Sequence, residues 1–126
     1  MIKDKNIVVD AVITWVDGND ANHKAKMQDF MVNKRSIDSK NVRMRYGQVN
    51  EIEFVVKSIL KYATFIRNIF IVTDNQTPDF LKDKEIAKKR YPNVYIVDHR
   101  VIFKGYEQYL PTFNCLPIES LLYKIP

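Results

Sequence analysis

Side chains able to do chemistry cluster at a few short stretches: Asp17 to Asp20, Asp74 to Gln76, Asp98 to Arg100, and Asn114, with Arg43 and Arg45 on a separate charged segment. Carboxylates and amides at such places orient hydroxyls or a divalent cation. An imidazole such as His99 moves protons near neutral pH, and an arginine holds phosphate through its planar fork of donors. Zinc-type ligand spacing is absent, because His23 is isolated near a helix start and Cys115 is the single cysteine. A phosphate-cradling glycine-rich loop is absent too, which argues against an ordinary ATPase or dinucleotide site.

The elements that must hold these groups are legible around them. Ile7 to Val16 is a near-continuous, β-branched apolar run that switches abruptly to Asp17, Gly18, Asn19 and Asp20, as a buried strand ending in a polar turn does. A second such strand runs from Asn68 to Thr73 and stops at Asp74, Asn75 and Gln76. A third, Val94 to Val97, ends in Asp98, His99 and Arg100. Helical segments separate them: Ala21 to about Asn33, with Met27, Phe30 and Met31 as its apolar face; then a strongly periodic helix ending near Tyr62, with Ile52, Val55, Val56, Ile59, Leu60 and Ala63 on one side. Thr77 and Pro78 stand in the favoured order for starting a short helix. Helical crossovers make strands parallel and bring their carboxyl ends to one rim, where α/β proteins bind ligands. The fold class expected is α/β, a parallel sheet with flanking helices.

Local duties compete with function at several positions. Asp20, or Asn19, is placed to cap the first helix, and Asp20 serves equally as a ligand. Asp17 has no such duty in the sequence and reads as functional, while Gly18 supplies the turn. Asn50 followed by Glu53 resembles a capping box. Lys34 to Gln48 reads as a surface loop, its arginines either solvated or facing phosphate. Asn114 is placed to cap a last helix carrying Ile118, Leu121, Leu122 and Ile125, with Glu119 beside that apolar face, as a solvated acid or a site residue. Cys115 reads as a small packed residue. His99 is either a general base or a residue that fixes its loop.

With 126 residues, 46% of them hydrophobic, and only three glycines, the chain has the composition of one globular domain. The opening residues hold no apolar segment suited to a signal peptide, and no run approaches the length of about 20 that spans a bilayer, so a soluble intracellular chain is expected. The formal charge of +5 suits an anionic partner, yet its lysines and arginines are dispersed. A nucleotide, a sugar phosphate or an anionic membrane surface fits as well as nucleic acid, which is not the expected partner.

The stretch Asp10 to Asp20, centred on Thr14, Trp15, Val16, Asp17 and Gly18, resembles the first signature block of the Stealth family. That family includes bacterial capsular polysaccharide phosphotransferases and the lysosomal N-acetylglucosamine-1-phosphotransferase. Its second block is similar to Arg45-Tyr46, Glu51 through Ser58, Lys61 to Ala63, Ile69 to Gln76, Pro78, Val97 to His99, Leu110 to Asn114, Ile118 to Ser120 and Ile125-Pro126. Lys57 replaces the usual arginine, Cys115 a serine, and Leu116-Pro117 an Asn-Ala-like pair. On this resemblance about 1–34 form the first block and its helix, and about 43–126 the second, as the N-terminal part of a single phosphotransferase domain. The family continues into an Asn-Asp-Asp motif and two further blocks, so a missing C-terminal half is expected.

The resemblance implies a Rossmann-like, nucleotide-sugar-transferase-like fold and a defined reaction. Hexose 1-phosphate passes from a nucleotide sugar, a UDP-sugar, to a hydroxyl of a capsular polysaccharide or exopolysaccharide, with a divalent cation such as Mg or Mn. His99, Asp17 and Arg45 are expected to be catalytic, and Thr14, Trp15, Gly18, Asp20, Asp74, Asn75, Gln76, Asn114 and Glu119 to bind substrate. A bacterial cytoplasmic location is expected, with peripheral attachment to the inner face of the membrane. The alternative is a catalytically inactive remnant that binds nucleotide sugar or glycan.

Overall fold

The computed structural model describes residues 7–31 and 49–126; the charged stretch 34–48, with Arg43 and Arg45, lies outside them. Three strands, β1 (Val9–Thr14), β2 (Ile66–Thr73) and β3 (Val94–Asp98), form a parallel sheet in the order β1-β2-β3. Ile13 lies opposite Ile71, and Ile71 opposite Ile96. The expected α/β parallel sheet with flanking helices is therefore present.

The side-chain period of two divides the core between the faces of the sheet. Ile69 and Ile71 point to one face, where they meet Ile52, Val56, Leu81 and Tyr91, with Ala11, Ile13 and Trp15 packed alongside. Val72 points to the other, against Val97, Ile102 and Phe103. Strand β1 is shorter than its apolar run, because Ile7 and Val8 are exposed ahead of it. β2 starts earlier than expected, at Ile66.

Helices α1 (Ala21–Met31) and α2 (Glu51–Tyr62) lie between β1 and β2. In α2 the apolar positions outnumber those one stripe can bury: Ile52 and Val56 are buried, whereas Val55 and Leu60 are exposed. The capping box expected from Asn50 and Glu53 does not form. Asn50 is left-handed, with φ 61, and its side chain makes no cap bond. Glu53 instead pairs with Lys57 one turn on, at 2.8 Å, and Glu51 accepts the N–H of Val49 at 2.7 Å.

Between β2 and β3 the chain makes a 3-10 turn, Asp79–Leu81, and helix α3 (Lys84–Arg90). The helix start expected at Thr77 is displaced, because Pro78 keeps an extended ψ of 145 and the turn begins only after it. Asp83 caps α3, accepting the N–H groups of Glu85 and Ile86 at 3.1 Å each.

After β3 come helix α4 (His99–Ile102), a 3-10 turn at Glu107–Tyr109, helix α5 (Cys115–Ser120) and a final 3-10 turn, Leu122–Lys124. The single last helix expected is thus divided. Near the end of α5, Ser120 Oγ donates to the carbonyl of Leu116 at 2.8 Å, a side-chain bond that competes with helix continuation. Leu110, Ile118, Leu121, Leu122 and Ile125 cover the second face of the sheet. Among the described residues, no helix is long and apolar enough to cross a membrane.

Candidate functional site at the carboxyl edge of the sheet

All three strand tips meet at one edge, and side-chain bonds fasten them together. Gln76 Oε1 accepts the N–H of Asp17 at 2.7 Å, while its Nε2 donates to the Asp17 carbonyl at 3.1 Å. Asp98 Oδ2 accepts the N–H of Asn75 at 2.8 Å, and its Oδ1 accepts from the backbone and Nε of Arg100 at 2.9 and 2.8 Å. Asp98 thereby caps α4 and ties the tip of β3 to that of β2, presenting His99 in a buried setting. Asp20 Oδ1 accepts the N–H of His23 at 2.9 Å, which starts α1 at the tip of β1.

A cleft of about 260 Å³ opens at this edge, lined by Thr14, Trp15 and Val16 of the β1 tip, His23 of α1, Asp74, His99 and residues 112–115 with Ile118. Its floor is largely apolar and aromatic, and Asp74 is its charged member. Lys26 Nζ lies 3.0 Å from Asp74 Oδ2, at the side of the cleft. His23 meets Phe113 edge-on, with ring centres 5.6 Å apart.

Burial holds the imidazoles of His23 and His99 below their ordinary pKa, with Asp74 pulling both the other way, helped by Asp20 for His23 and Asp98 for His99. Neutral imidazoles at neutral pH are proton acceptors. The Nδ1 of His99 is buried and has no hydrogen-bond partner among the described residues.

Thr14, Trp15, Asp74, His99 and Asn114 converge in the cleft as the sequence suggests. Asp20, Asn75 and Gln76 line a neighbouring cleft of about 240 Å³ that shares His23 and Asp74 with the first. Asp17 does have a local duty: its Oδ1 accepts the N–H of Asn19 at 2.8 Å, closing the turn that contains Gly18. Its side chain faces a smaller pocket with Trp15, Glu53 and Asp79. Asn114 Oδ1 caps α5 by accepting the N–H of Leu116 at 3.1 Å. Glu119 is exposed on α5 and does not line the cleft. Arg45 lies outside the described residues.

Sequence reasoning missed His23, Lys26 and the cleft face of Cys115. His23 stands three residues past Asp20, in the first turn after a strand tip, where side chains face the crevice; counting from the Asp20 cap finds it. Cys115 is exposed rather than packed, because the Asn114 cap makes it the first residue of α5 at the cleft wall. Among the described residues, no group of three or more His, Cys, Asp or Glu side chains converges to hold a metal ion. The expected divalent cation therefore has no site assembled by these residues.

Residues 8–35 match Stealth protein CR1, conserved region 1, and residues 45–126 match Stealth protein CR2, conserved region 2. The chain is 37% identical over 121 residues to capsular polysaccharide phosphotransferase cps1A of Actinobacillus pleuropneumoniae, covering 94% of this chain and 31% of that protein. It is 39% identical over 122 residues to capsular polysaccharide phosphotransferase fcs1 of Haemophilus influenzae, covering 95% and 31% respectively. An exopolysaccharide phosphotransferase of Streptomyces coelicolor is 37% identical over 120 residues, covering 93% of this chain and 20% of that protein. The chain thus spans less than a third of the length of these curated relatives.

Proposed function

The chain belongs to the Stealth family, and from that premise we propose that it supplies the donor-binding rim of a phosphotransferase acting in capsular polysaccharide or exopolysaccharide synthesis. The donor is a nucleotide sugar, a UDP-sugar, and the group moved is hexose 1-phosphate. An acceptor hydroxyl oxygen attacks the phosphorus that bears the sugar. The bond from that phosphorus to the nucleoside monophosphate breaks, the monophosphate departs with the bond electrons, and the hydroxyl proton passes to a base.

The observation that carries this reading is the convergence of Thr14 and Trp15 from the tryptophan motif with Asp74, His99 and Asn114 around one cleft at the carboxyl edge of the sheet. His99 is the base in this scheme, since burial keeps it neutral and ready to accept. Trp15 and Phe113 give flat apolar walls for a base or sugar ring, and Asp74 meets hydroxyls. Asp17, Gly18 and Gln76 shape the rim, and Asp20 and Asn75 serve the sugar side. The whole protein is a peripheral component at the inner face of the membrane in the same reading.

Phosphorus-31 NMR tests it. Protein containing this segment, given a UDP-hexose and fragments of the acceptor polymer, should yield a new phosphodiester resonance together with uridine monophosphate. Donor retention without either product overturns transfer and supports the noncatalytic binding module; absence of donor binding overturns both.

A further inference from the structure

We propose that Lys26 is a phosphate-binding residue of this rim, held by Asp74 until the diphosphate of a nucleotide sugar displaces the carboxylate. The inference deepens the transferase reading and rests on it.

Lys26 and His23 are three residues apart on α1 and therefore share a face, which looks onto the tip of β2. His23 lines the main cleft, and Lys26 lies just beyond, its Nζ 3.0 Å from Asp74 Oδ2. Asp74 lines this cleft, the neighbouring one of about 240 Å³, and a third, open one of about 600 Å³ reaching Asn75, Arg100 and Leu110; Lys26 lines the last two. The ammonium is thus one carboxylate away from the space holding Thr14, Trp15 and His99. That space has no cation of its own among the described lining residues. A diphosphate entering there meets Asp74 as like charge and the two neutral-leaning imidazoles as weak partners, and a cation in the wall offsets that repulsion.

Lys26 can supply it with little rearrangement. Its side chain is 42% exposed and that of Asp74 27% exposed, so the pair is partly solvated and exchangeable. A lysine is a point charge on a flexible stem and can swing from a carboxylate to a phosphate oxygen. The other cation near this tip, Arg100, is engaged through backbone N–H and Nε by Asp98, which also anchors Asn75. Freeing Arg100 would loosen the strand tips; freeing Lys26 would not.

Titration calorimetry with uridine diphosphate and uridine on the full chain, for wild type, Lys26→Met and Lys26→Arg, tests the assignment. Lys26→Met should bind uridine diphosphate about tenfold or more weakly, the loss expected for one charged hydrogen bond, with uridine affinity unchanged. Lys26→Arg should recover most of the loss. Equal affinity of wild type and Lys26→Met for uridine diphosphate overturns the role of Lys26. A parallel loss for uridine and uridine diphosphate, or no recovery by arginine, assigns Lys26 to structure alone and likewise overturns it. Wild type binding neither compound overturns the nucleotide-sugar reading itself, a different outcome.

Discussion

Gln76 and Asp17 exchange a reciprocal pair of bonds, side-chain amide to backbone peptide, across 59 residues of sequence. A glutamine amide donates and accepts at adjacent atoms, as a peptide does, so it extends the β1-β2 ladder beyond the point where the strands end. Thr73 Oγ1 adds a longer 3.4 Å bond to the same oxygen. The motif turn is therefore fastened to the tip of β2 at the point where it leaves the sheet.

Replacing Gln76 by Ala should destabilise the fold by about 1–3 kcal/mol, the cost of stranding polar groups in a buried setting. Gln76→Glu keeps the acceptor for the Asp17 N–H but points a carboxylate oxygen at the Asp17 carbonyl, so it should also destabilise. Urea unfolding measures both.

His99→Ala in the intact protein should lower turnover by about 10²–10⁴-fold, the range for a general base. Donor affinity should change little. Pre-steady-state release of the nucleoside monophosphate checks the first expectation, and calorimetric titration with donor the second.

Stability should fall on mild acidification. The imidazoles of His23 and His99 are held below the ordinary value of 6.5, chiefly by burial. Below 6.5 the unfolded chain takes up protons that the folded chain refuses, so unfolding is favoured as pH falls. The contribution is fully present above 6.5 and is lost as pH descends toward the lowered folded values. Asp98, which burial pushes up but Arg100 and backbone N–H groups pull down further, acts in the same direction only near its ordinary 3.8 and below. Urea midpoints compared at about pH 7.5 and pH 5.5 isolate the histidines, and His99→Gln should shrink the difference.

Ile71 is fully buried at the centre of β2 and touches both α2 and β1 neighbours. Ile71→Ala should cost about 2–5 kcal/mol. Val12, 41% exposed on edge strand β1, should cost within about 0.5 kcal/mol when changed to Ala. Chemical denaturation of the two variants side by side separates core from edge.

The fold was legible where burial dictates residue type. The unbroken run at Ile69 to Val72 and the break at Asp74 locate β2 and its tip, because a strand packed on both faces leaves no room for polar residues. The caps at Asp20 and Asn114 were legible for a similar reason, since short polar side chains before helices answer free N–H groups. Asn50 was misleading: the same residue type also tolerates the left-handed backbone, and that preference prevailed. Asp17 was half legible. Its place beyond a strand is visible in sequence, but its bond to Asn19 and its clasp by Gln76 depend on chain geometry that residue types do not specify. His23 was readable only by counting from the Asp20 cap, and Lys26 was opaque because the docking of α1 against the tip of β2 is what joins it to Asp74.

Trp15 is the sole tryptophan of the chain and Cys115 the sole cysteine, and both line the main cleft. The molecule thus carries an intrinsic fluorophore and a unique, exposed thiol at the place of interest. A small quencher attached to that thiol would turn the pair into an optical ruler across the cleft. Its opening, closing and filling could then be followed in real time without adding or removing a single residue.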